Sequence, residues 1–239
     1  MELIMLIDEI LSLIAPDSCI CCQKDGSLLC YYCFNNFKKS ESQKIKNECL
    51  FCKTGNKNTS GICSICNNKL KLKAVYFVGY HEGVLKNLIW RLKFHSSLSV
   101  LKPLIPELAD KLQPLANKDC YLIPLPTAPA RIRSRGFDQA KKMSSSLAKL
   151  NPLWSYSNIL IRVNDVDQIG RSKIERKDAA RQMFALNPKK IANLNKKYQL
   201  ILVDDVMTTG ATISAAASLL YDAGFKNISA ALLSYKKLE

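Results

Sequence analysis

Apolar side chains fall into three textures along the chain. Near the start, Leu3, Ile4, Ile7, Ile10, Leu11 and Ile14 recur at steps of three and four, with Asp8 and Glu9 off the stripe. That period is helical and Pro16 closes it, so the spacing predicts a docking helix over 2–14. Between residues 35 and 60 apolar positions thin out and Lys, Asn and Ser dominate. A segment so poor in core needs a staple. From Ala74 the pattern becomes dense and changes in kind every ten to twenty residues. It predicts strands at Ala74–Tyr80, Tyr121–Ile123, Asn158–Val163, Leu200–Val203 and Ile228–Leu233. Between them it predicts helices at Val84–Phe94, Leu98–Leu115 (around Pro103 and Pro106), Phe137–Leu150 and Ile213–Ala223, with a charged helix or ordered loop at Ile174–Met183. Strands alternating with helices give an α/β fold with a parallel-dominated sheet flanked by helices. The change of texture, with NNKLKLK at 67–73 as the join, divides the chain into 1–70 and 71–239.

Charge follows the same division. Residues 1–70 carry 8 basic and 7 acidic side chains, whereas 71–239 carry 27 and 13. A +14 field on the second part favours polyanions: phosphorylated metabolites, nucleic acid or acidic surfaces. The bland reading is a solvated, Lys-rich surface. The apolar fraction of 48% excludes a disordered tail. No run reaches the roughly 18–20 apolar residues of a membrane span, and the first residues lack the basic start of a signal peptide. The expectation is a soluble, cytoplasmic protein without a membrane span.

Eight of the ten cysteines form C-x-x-C pairs: Cys19/Cys22, Cys30/Cys33, Cys49/Cys52 and Cys63/Cys66. Such a turn sets two thiolates one metal ion's width apart, and two turns complete a tetrahedron. Four pairs so close together read as two structural zinc sites rather than a disulfide framework or a redox motif. The simplest arrangement is two successive ribbons, Cys19/Cys22/Cys30/Cys33 and Cys49/Cys52/Cys63/Cys66. Cross-bracing of the first pair with the third is the alternative the spacing leaves open. Cys21 and Cys120 read as packing or bystander thiols.

Residues 200–224 carry the second chemical signal. The apolar run Leu200–Val203 ends in Asp204 and Asp205, followed by Val206, Met207, Thr208, Thr209, Gly210, Ala211 and Thr212 and then a small-residue helix. Small residues and a glycine let backbone N–H groups share a concavity. The helix behind adds its positive dipole end. A phosphate fits there. Two adjacent carboxylates repel it, so they must meet sugar hydroxyls or a cation. A phosphorylated sugar satisfies both halves. The competing reading is an ordinary βα turn with a helix cap. Neither G-x-x-x-x-G-K-[ST] nor G-x-G-x-x-G occurs in the segment.

VDDVMTTGAT resembles the signature of type I phosphoribosyltransferases. By that resemblance Asp204 and Asp205 contact the ribose hydroxyls of 5-phosphoribosyl pyrophosphate (PRPP), and Thr208–Thr212 cradle its 5′-phosphate. Residues 122–140, LIPLPTAPARIRSRGFDQA, are similar to the ComF competence family, where R-G-F-N-Q is typical and Asp138 replaces the Asn. The cysteine pairs and the stretch His81–His95, where an apolar helix ends in Leu92-Lys93-Phe94, match that family too. The resemblance implies a type I phosphoribosyltransferase fold behind an N-terminal double zinc ribbon, with a pyrophosphate loop at Arg131, Arg135, Gly136 and Gln139. Arginines suit that role through paired N–H donors; the alternative is a solvated basic loop. It also implies a mobile catalytic loop, in which Arg162, Gln168, Arg176 and Phe184 are recognisable while Asp165, Asp178, Ala179 and Met183 depart from the pattern.

Two functions follow from the resemblance. One is Mg²⁺-dependent transfer of phosphoribosyl to an acceptor the sequence does not name, with Asp204 and Asp205 as the catalytic pair and a loop at 163–182 excluding water. The other is a non-catalytic, PRPP-sensing protein of natural transformation that binds single-stranded DNA through its basic half. Beside these two stands a zinc-module adaptor that recruits a competence helicase, another DNA-processing protein or a membrane DNA channel, with 2–14 as its docking helix.

Overall fold

The computed structural model describes residues 18–44, 48–54, 61–163 and 183–237. The helices expected at 2–14 and at Ile174–Met183, and the loop expected at 163–182, lie outside the described residues except for their ends at 163 and 183.

Five strands form one sheet: β1 (Val75–Tyr80), β2 (Cys120–Pro124), β3 (Trp154–Tyr156), β6 (Gln199–Met207) and β7 (Ile228–Tyr235). Their order is β1-β7-β6-β2-β3, and every neighbouring pair is parallel. β4 (Leu160–Arg162) and β5 (Phe184–Leu186) make a separate antiparallel ribbon. The strand expected at Asn158–Val163 is therefore not in the main sheet, whose edge is the unexpected β3. The helices are α1 (Tyr31–Lys44), α2 (Ser64–Leu70), α3 (Gly83–Phe94), α4 (Leu101–Lys111), α5 (Pro129–Arg135), α6 (Gln139–Ala148), α7 (Pro188–Ile191) and α8 (Ala211–Asp222). Short 3-10 turns at Leu98–Val100 and Gln113–Leu115 flank α4, so the expected stretch Leu98–Leu115 is helical in three pieces. Pro103 falls in the first turn of α4, where a missing N–H leaves no bond unmade.

Alternation along the buried strands separates two cores. Ile201, Val203, Ala231 and Leu233 pack with Leu85, Leu88 and Leu92 of α3, Leu104 and Leu108 of α4, and Met143 and Leu147 of α6. Leu200, Leu202, Ala230 and Leu232 pack with Ile213, Ala216 and Leu220 of α8. Strands covered on both faces need continuous apolar runs, as Leu200–Val203 and Ala230–Leu233 supply.

The cysteine-rich part is a tandem repeat. Each unit has a C-x-x-C knuckle and, further on, a second C-x-x-C that opens a helix, α1 or α2. The residue after each knuckle, Gln23 or Lys53, has φ 62°. Its amide donates back to Cys19 or Cys49 at 2.8 and 2.9 Å. The units sit on opposite faces of the sheet. Cys19, Leu28, Leu29 and Phe37 join the core under α3 and α4, whereas Cys49, Leu50, Ile62 and Cys66 join the core under α8. Between them both units reach β1. The Glu41 carboxylate of α1 accepts from Tyr80 N at 2.7 Å, and Gly61 lies so close that a side chain there would meet Val75 O.

Candidate functional site

The topology marks one end of the sheet as the candidate place for a ligand. β2 runs through α5 and α6 to β3 on one side, while β6, its neighbour, runs through α8 to β7 on the other. The two connections leave the same end of the sheet and diverge, which opens a crevice at the carboxyl ends of β2 and β6. The segments singled out in the sequence, 122–140 and 200–224, contain the starts of these two connections.

Side-chain geometry joins them. Gln139 Nε2 donates to Asp205 Oδ2 at 2.9 Å, and Lys93 Nζ lies 2.9 Å from Asp205 Oδ1. Asp205 follows Ile201 and Val203 in the alternation, which carries it toward α3 and α6, where those partners sit. Both its oxygens are thus held by protein donors. Asp204 alternates to the opposite side and is half-buried; its Oδ1 accepts from Asp205 N at 2.8 Å. No ion pair to Asp204 occurs among the described residues. Burial, reinforced by repulsion from Asp205, raises the Asp204 carboxyl to about 7. The structure therefore parts the two acids, which the sequence treats alike: Asp205 is bound by Lys93 and Gln139, whereas Asp204 accepts from its neighbour's amide.

The turn Thr208–Thr212 follows β6. Gly210 is the N-cap of α8 in the left-handed region at φ 75°, and no side chain caps the helix from that position. Thr209 Oγ1 accepts from Ala211 N at 3.3 Å. The remaining first-turn amides of α8 have no intrahelical acceptor. Thr208, Thr209 and Ala211 are exposed, and Thr212 is half-buried. Val206 and Met207 continue the strand and pair with Ser234 and Tyr235.

The arginine segment is not the open loop expected around a glycine turn. It is helix α5, ended by Gly136 at φ 79°. Pro129 at its start and the glycine at its end are a helix's usual boundary residues. Arg131 and Arg133 are exposed and Arg135 is half-buried. Asp138 caps α6 by accepting from Lys141 N at 3.3 Å, and Thr127 Oγ1 donates to the same oxygen at 3.1 Å. Two buried polar atoms here lack partners among the described residues: Arg135 Nη1 and Gln139 Oε1. Such orphans are costly unless a ligand or water meets them.

Residues that no motif announced also converge. Lys93 comes from the end of α3. His81, after β1, shares a hydrogen bond of 3.0 Å with Ser234 Oγ. Burial, with Lys93, Lys236 and Lys86 nearby, holds its imidazole below the usual value. Phe51, between Cys49 and Cys52, packs on Gly210. A longer signal exists for His81 and Lys93, which lie in the stretch His81–His95 that resembles the ComF family; for Phe51 nothing in the sequence points to the site.

The cysteines form two four-thiol groups, Cys19/Cys22/Cys30/Cys33 and Cys49/Cys52/Cys63/Cys66, with all sulfurs of a group within 4.8 Å of one another. The pairing is sequential, which closes the cross-braced alternative. Sulfur–sulfur separations of 3.6 Å, between Cys22 and Cys30 and between Cys52 and Cys63, match the edge of about 3.8 Å in a tetrahedral zinc tetrathiolate. Backbone N–H groups support the sulfurs, as Cys30 N does Cys19 Sγ at 3.4 Å and Cys66 N does Cys63 Sγ at 3.5 Å. Burial pushes the Cys19 thiol up, but bonds from the Cys30, Cys22 and Cys21 amides outweigh it and bring the thiol to about 6. The Thr54 hydroxyl, 2.9 Å from Cys52 Sγ, brings that thiol to about 6 as well. Each group can hold a zinc ion with four thiolates and no open position, a structural site. Cys120 is buried, its thiol raised to about 11 by burial, and Cys21 is exposed; neither joins a cluster.

No helix among the described residues is long and apolar enough to cross a membrane. No family model matches the chain. Three competence proteins are similar to it. Competence protein ComFC of Streptococcus pneumoniae is 24% identical over 231 residues, spanning 95% of this chain and 93% of that protein. Competence protein ComFC of Bacillus subtilis is 24% identical over 209 residues, 84% of this chain and 81% of its own. Competence protein F of Haemophilus influenzae is 29% identical over 178 residues, 68% and 75% respectively. The likeness to ComF proteins thus runs along most of the chain, and the two four-cysteine groups fit a double zinc ribbon at its start.

Proposed function

We propose that this chain, a relative of the ComF-type competence proteins, acts in natural transformation in the cytoplasm and binds PRPP in the crevice at the ends of β2 and β6. The names of the three relatives support the first half. One observation carries the second: the 2.9 Å bond from Gln139 to Asp205 ties together two motif segments 66 residues apart at the switch point of the sheet. We place the division between the cysteine-rich part and the sheet domain between residues 70 and 71; the end of α2 at Leu70, with Lys71 at φ 58°, supports it.

In this reading the free amides at the start of α8, with Thr208 and Thr209, take the 5′-phosphate. Asp204 Oδ2 accepts from the ribose hydroxyls. Asp205, held by Lys93 and Gln139, fixes the end of β6 and keeps Asp204 in place, so it is a positioning residue rather than a sugar contact. Arg131, Arg135, Gly136 and Gln139 receive the pyrophosphate end, where the orphaned Arg135 Nη1 offers a donor. Mg²⁺ bound to the pyrophosphate would neutralise the leaving group. Asp204 is placed to balance positive charge developing on the ribose during transfer. Calorimetry of PRPP with Mg²⁺ tests the site directly. Binding by the unaltered chain that vanishes in the Asp204→Asn/Asp205→Asn double variant supports the reading; absence of binding by the unaltered chain ends it.

A second reading, single-stranded DNA binding, has its own observation. Trp90 and Phe94 are 52% and 68% exposed on α3, with the Trp90 ring 4.5 Å from that of His95. Ser96 Oγ donates to Arg135 O at 2.8 Å, which joins this aromatic patch to arginine helix α5. Exposed rings beside arginines make a stacking surface with a phosphate-binding rim. Trp90→Ala would weaken DNA binding at every salt concentration, whereas Arg131→Gln/Arg133→Gln would flatten its salt dependence. Unchanged DNA binding in both variants rejects this surface.

A further inference from the structure

The second cysteine cluster lies against the turn proposed to hold phosphate, through the knuckle between its first two ligands. A Cβ on Gly210 would sit 2.4 Å from Phe51 Cε1 and 3.3 Å from Cζ. Only a glycine lets the ring approach that closely, and this glycine also supplies the left-handed N-cap of α8. The neighbours of Phe51 grip the other end of the turn. Tyr235 Oη donates to Leu50 O at 2.7 Å. Lys53 Nζ meets the same hydroxyl and lies 4.9 Å from the ring centroid. Tyr235 is paired in register with Met207, and Lys236 N donates to Met207 O at 2.8 Å. Met207 immediately precedes Thr208. The knuckle therefore holds the turn at both ends, at Gly210 through Phe51 and at Met207 through Leu50, Lys53 and Tyr235.

The first repeat makes no such contact. Its counterparts of Leu50, Phe51 and Lys53 are Ile20, Cys21 and Gln23. Ile20 packs on the opposite face, and Cys21 is exposed. Two units with the same cysteine geometry thus differ in what lies between their first ligands, and only the second carries an aromatic ring there.

We infer that the knuckle Cys49–Thr54 is a brace for the anion turn: metal held by Cys49, Cys52, Cys63 and Cys66 fixes Phe51 and Leu50, and these fix the amides at the start of α8. Phe51 is then a positioning residue whose loss loosens the turn without touching ligand. An anion that needs several amides at once loses affinity when those amides must be ordered on binding. The inference rests on the PRPP reading for its ligand, but the ordering of the turn can be read without one.

The test uses the full chain with zinc bound. Phe51→Ala is compared with the unaltered protein by zinc content, by hydrogen exchange of the segment 207–214, and by calorimetry with PRPP and Mg²⁺. The expected result is unchanged zinc, faster exchange in 207–214, and PRPP affinity weaker by about tenfold. Should Phe51→Ala fail to fold, Phe51→Leu keeps the apolar bulk and is expected to show both effects in smaller degree. Cys52→Ala is expected to lose one zinc and to show the same local exchange. Cys22→Ala is expected to lose the other zinc with faster exchange around Phe37 and Glu41 but not in 207–214. If the unaltered chain binds PRPP and Phe51→Ala matches it, with exchange in 207–214 unmoved, the brace is wrong and the PRPP site survives. If the unaltered chain does not bind PRPP, the site and the brace's ligand fall together.

Discussion

Asp204 and Asp205 are identical in chemistry and adjacent in sequence, yet their surroundings give them opposite parts. Asp204 has its carboxyl raised from 3.8 to about 7 by burial and by Asp205. The folded state thus keeps a proton that the unfolded chain has already released. That contribution is complete below about pH 4 and fades as pH rises through 7. Between pH 6 and pH 8 the chain should lose about 1 kcal/mol from this group. Asp204→Asn should remove that slope, as urea midpoints of the two proteins at both pH values will show. A slope of equal size in the variant would exclude Asp204 as its source. Asp205 is instead paired with Lys93, whose side chain is 23% exposed. Lys93→Met leaves that carboxylate buried with only Gln139 as a donor. It should destabilise by about 2–3 kcal/mol in denaturant unfolding. A change under about 0.5 kcal/mol, the ordinary range of a surface substitution, would show the pair to be incidental. Neither role is visible in the string Val203-Asp204-Asp205-Val206. The acids advertise a site because carboxylates are out of place at the end of a buried strand. Which one is locked depends on Lys93 and Gln139, brought from α3 and α6 by packing alone.

At the scale of elements, legibility follows length and apolar content. The strands β1, β2, β6 and β7 carry buried runs, and the sequence pattern finds each of them. The strands β3, β4 and β5 have three residues each, too few for a period to show. The pattern therefore misses β3 and sends residues 158–163 to the main sheet instead of a side ribbon. Helix α1 is invisible for another reason: YYCFNNFKKSESQK has no regular apolar stripe. It is held by Phe37 in the core and by Glu41 on β1, not by its own periodicity. That seating depends on Gly79, where a Cβ would lie 2.4 Å from Glu41 Oε2 and within 2.9 Å of two further atoms of the same side chain. Gly79→Ala must expel Glu41 and free the Tyr80 amide, at a cost of about 1–3 kcal/mol. Equilibrium unfolding checks the value, and Gly79→Ala combined with Glu41→Ala should recover part of it. Gly210→Ala combines a backbone term of about 1–2 kcal/mol for the left-handed conformation with a collision against Phe51.

Over the whole molecule, the cysteine pairs announced metal from their spacing, and the α/β character showed in the alternation of the second part. What could not be read is that the two ribbons lie on opposite faces of one sheet. That arrangement comes from contacts such as Leu50 and Ile62 beneath α8 and Leu28 and Phe37 beneath α3 and α4, between residues far apart along the chain. It makes a prediction about metal removal. A module joined by a linker would melt alone and leave the remainder untouched. Ribbons that complete both cores should lower the stability of everything together. Calorimetric scans with a strong chelator are expected to show one transition at lower temperature; two separate transitions, one unmoved, would contradict the shared cores.

The outermost strand of the sheet gives this arrangement a further meaning. A parallel sheet ends in a row of unsatisfied backbone groups, an invitation for another chain to add itself. On one margin that row is only three residues long, at Trp154–Tyr156. On the other, along Val75–Tyr80, the Glu41 carboxylate and the loop at Gly61 occupy it. The ribbons are thus a selvage as well as a scaffold. When a cell starves of zinc, this protein should lose not only the brace on its turn but also the cover of that border, and with it some of its resistance to clumping.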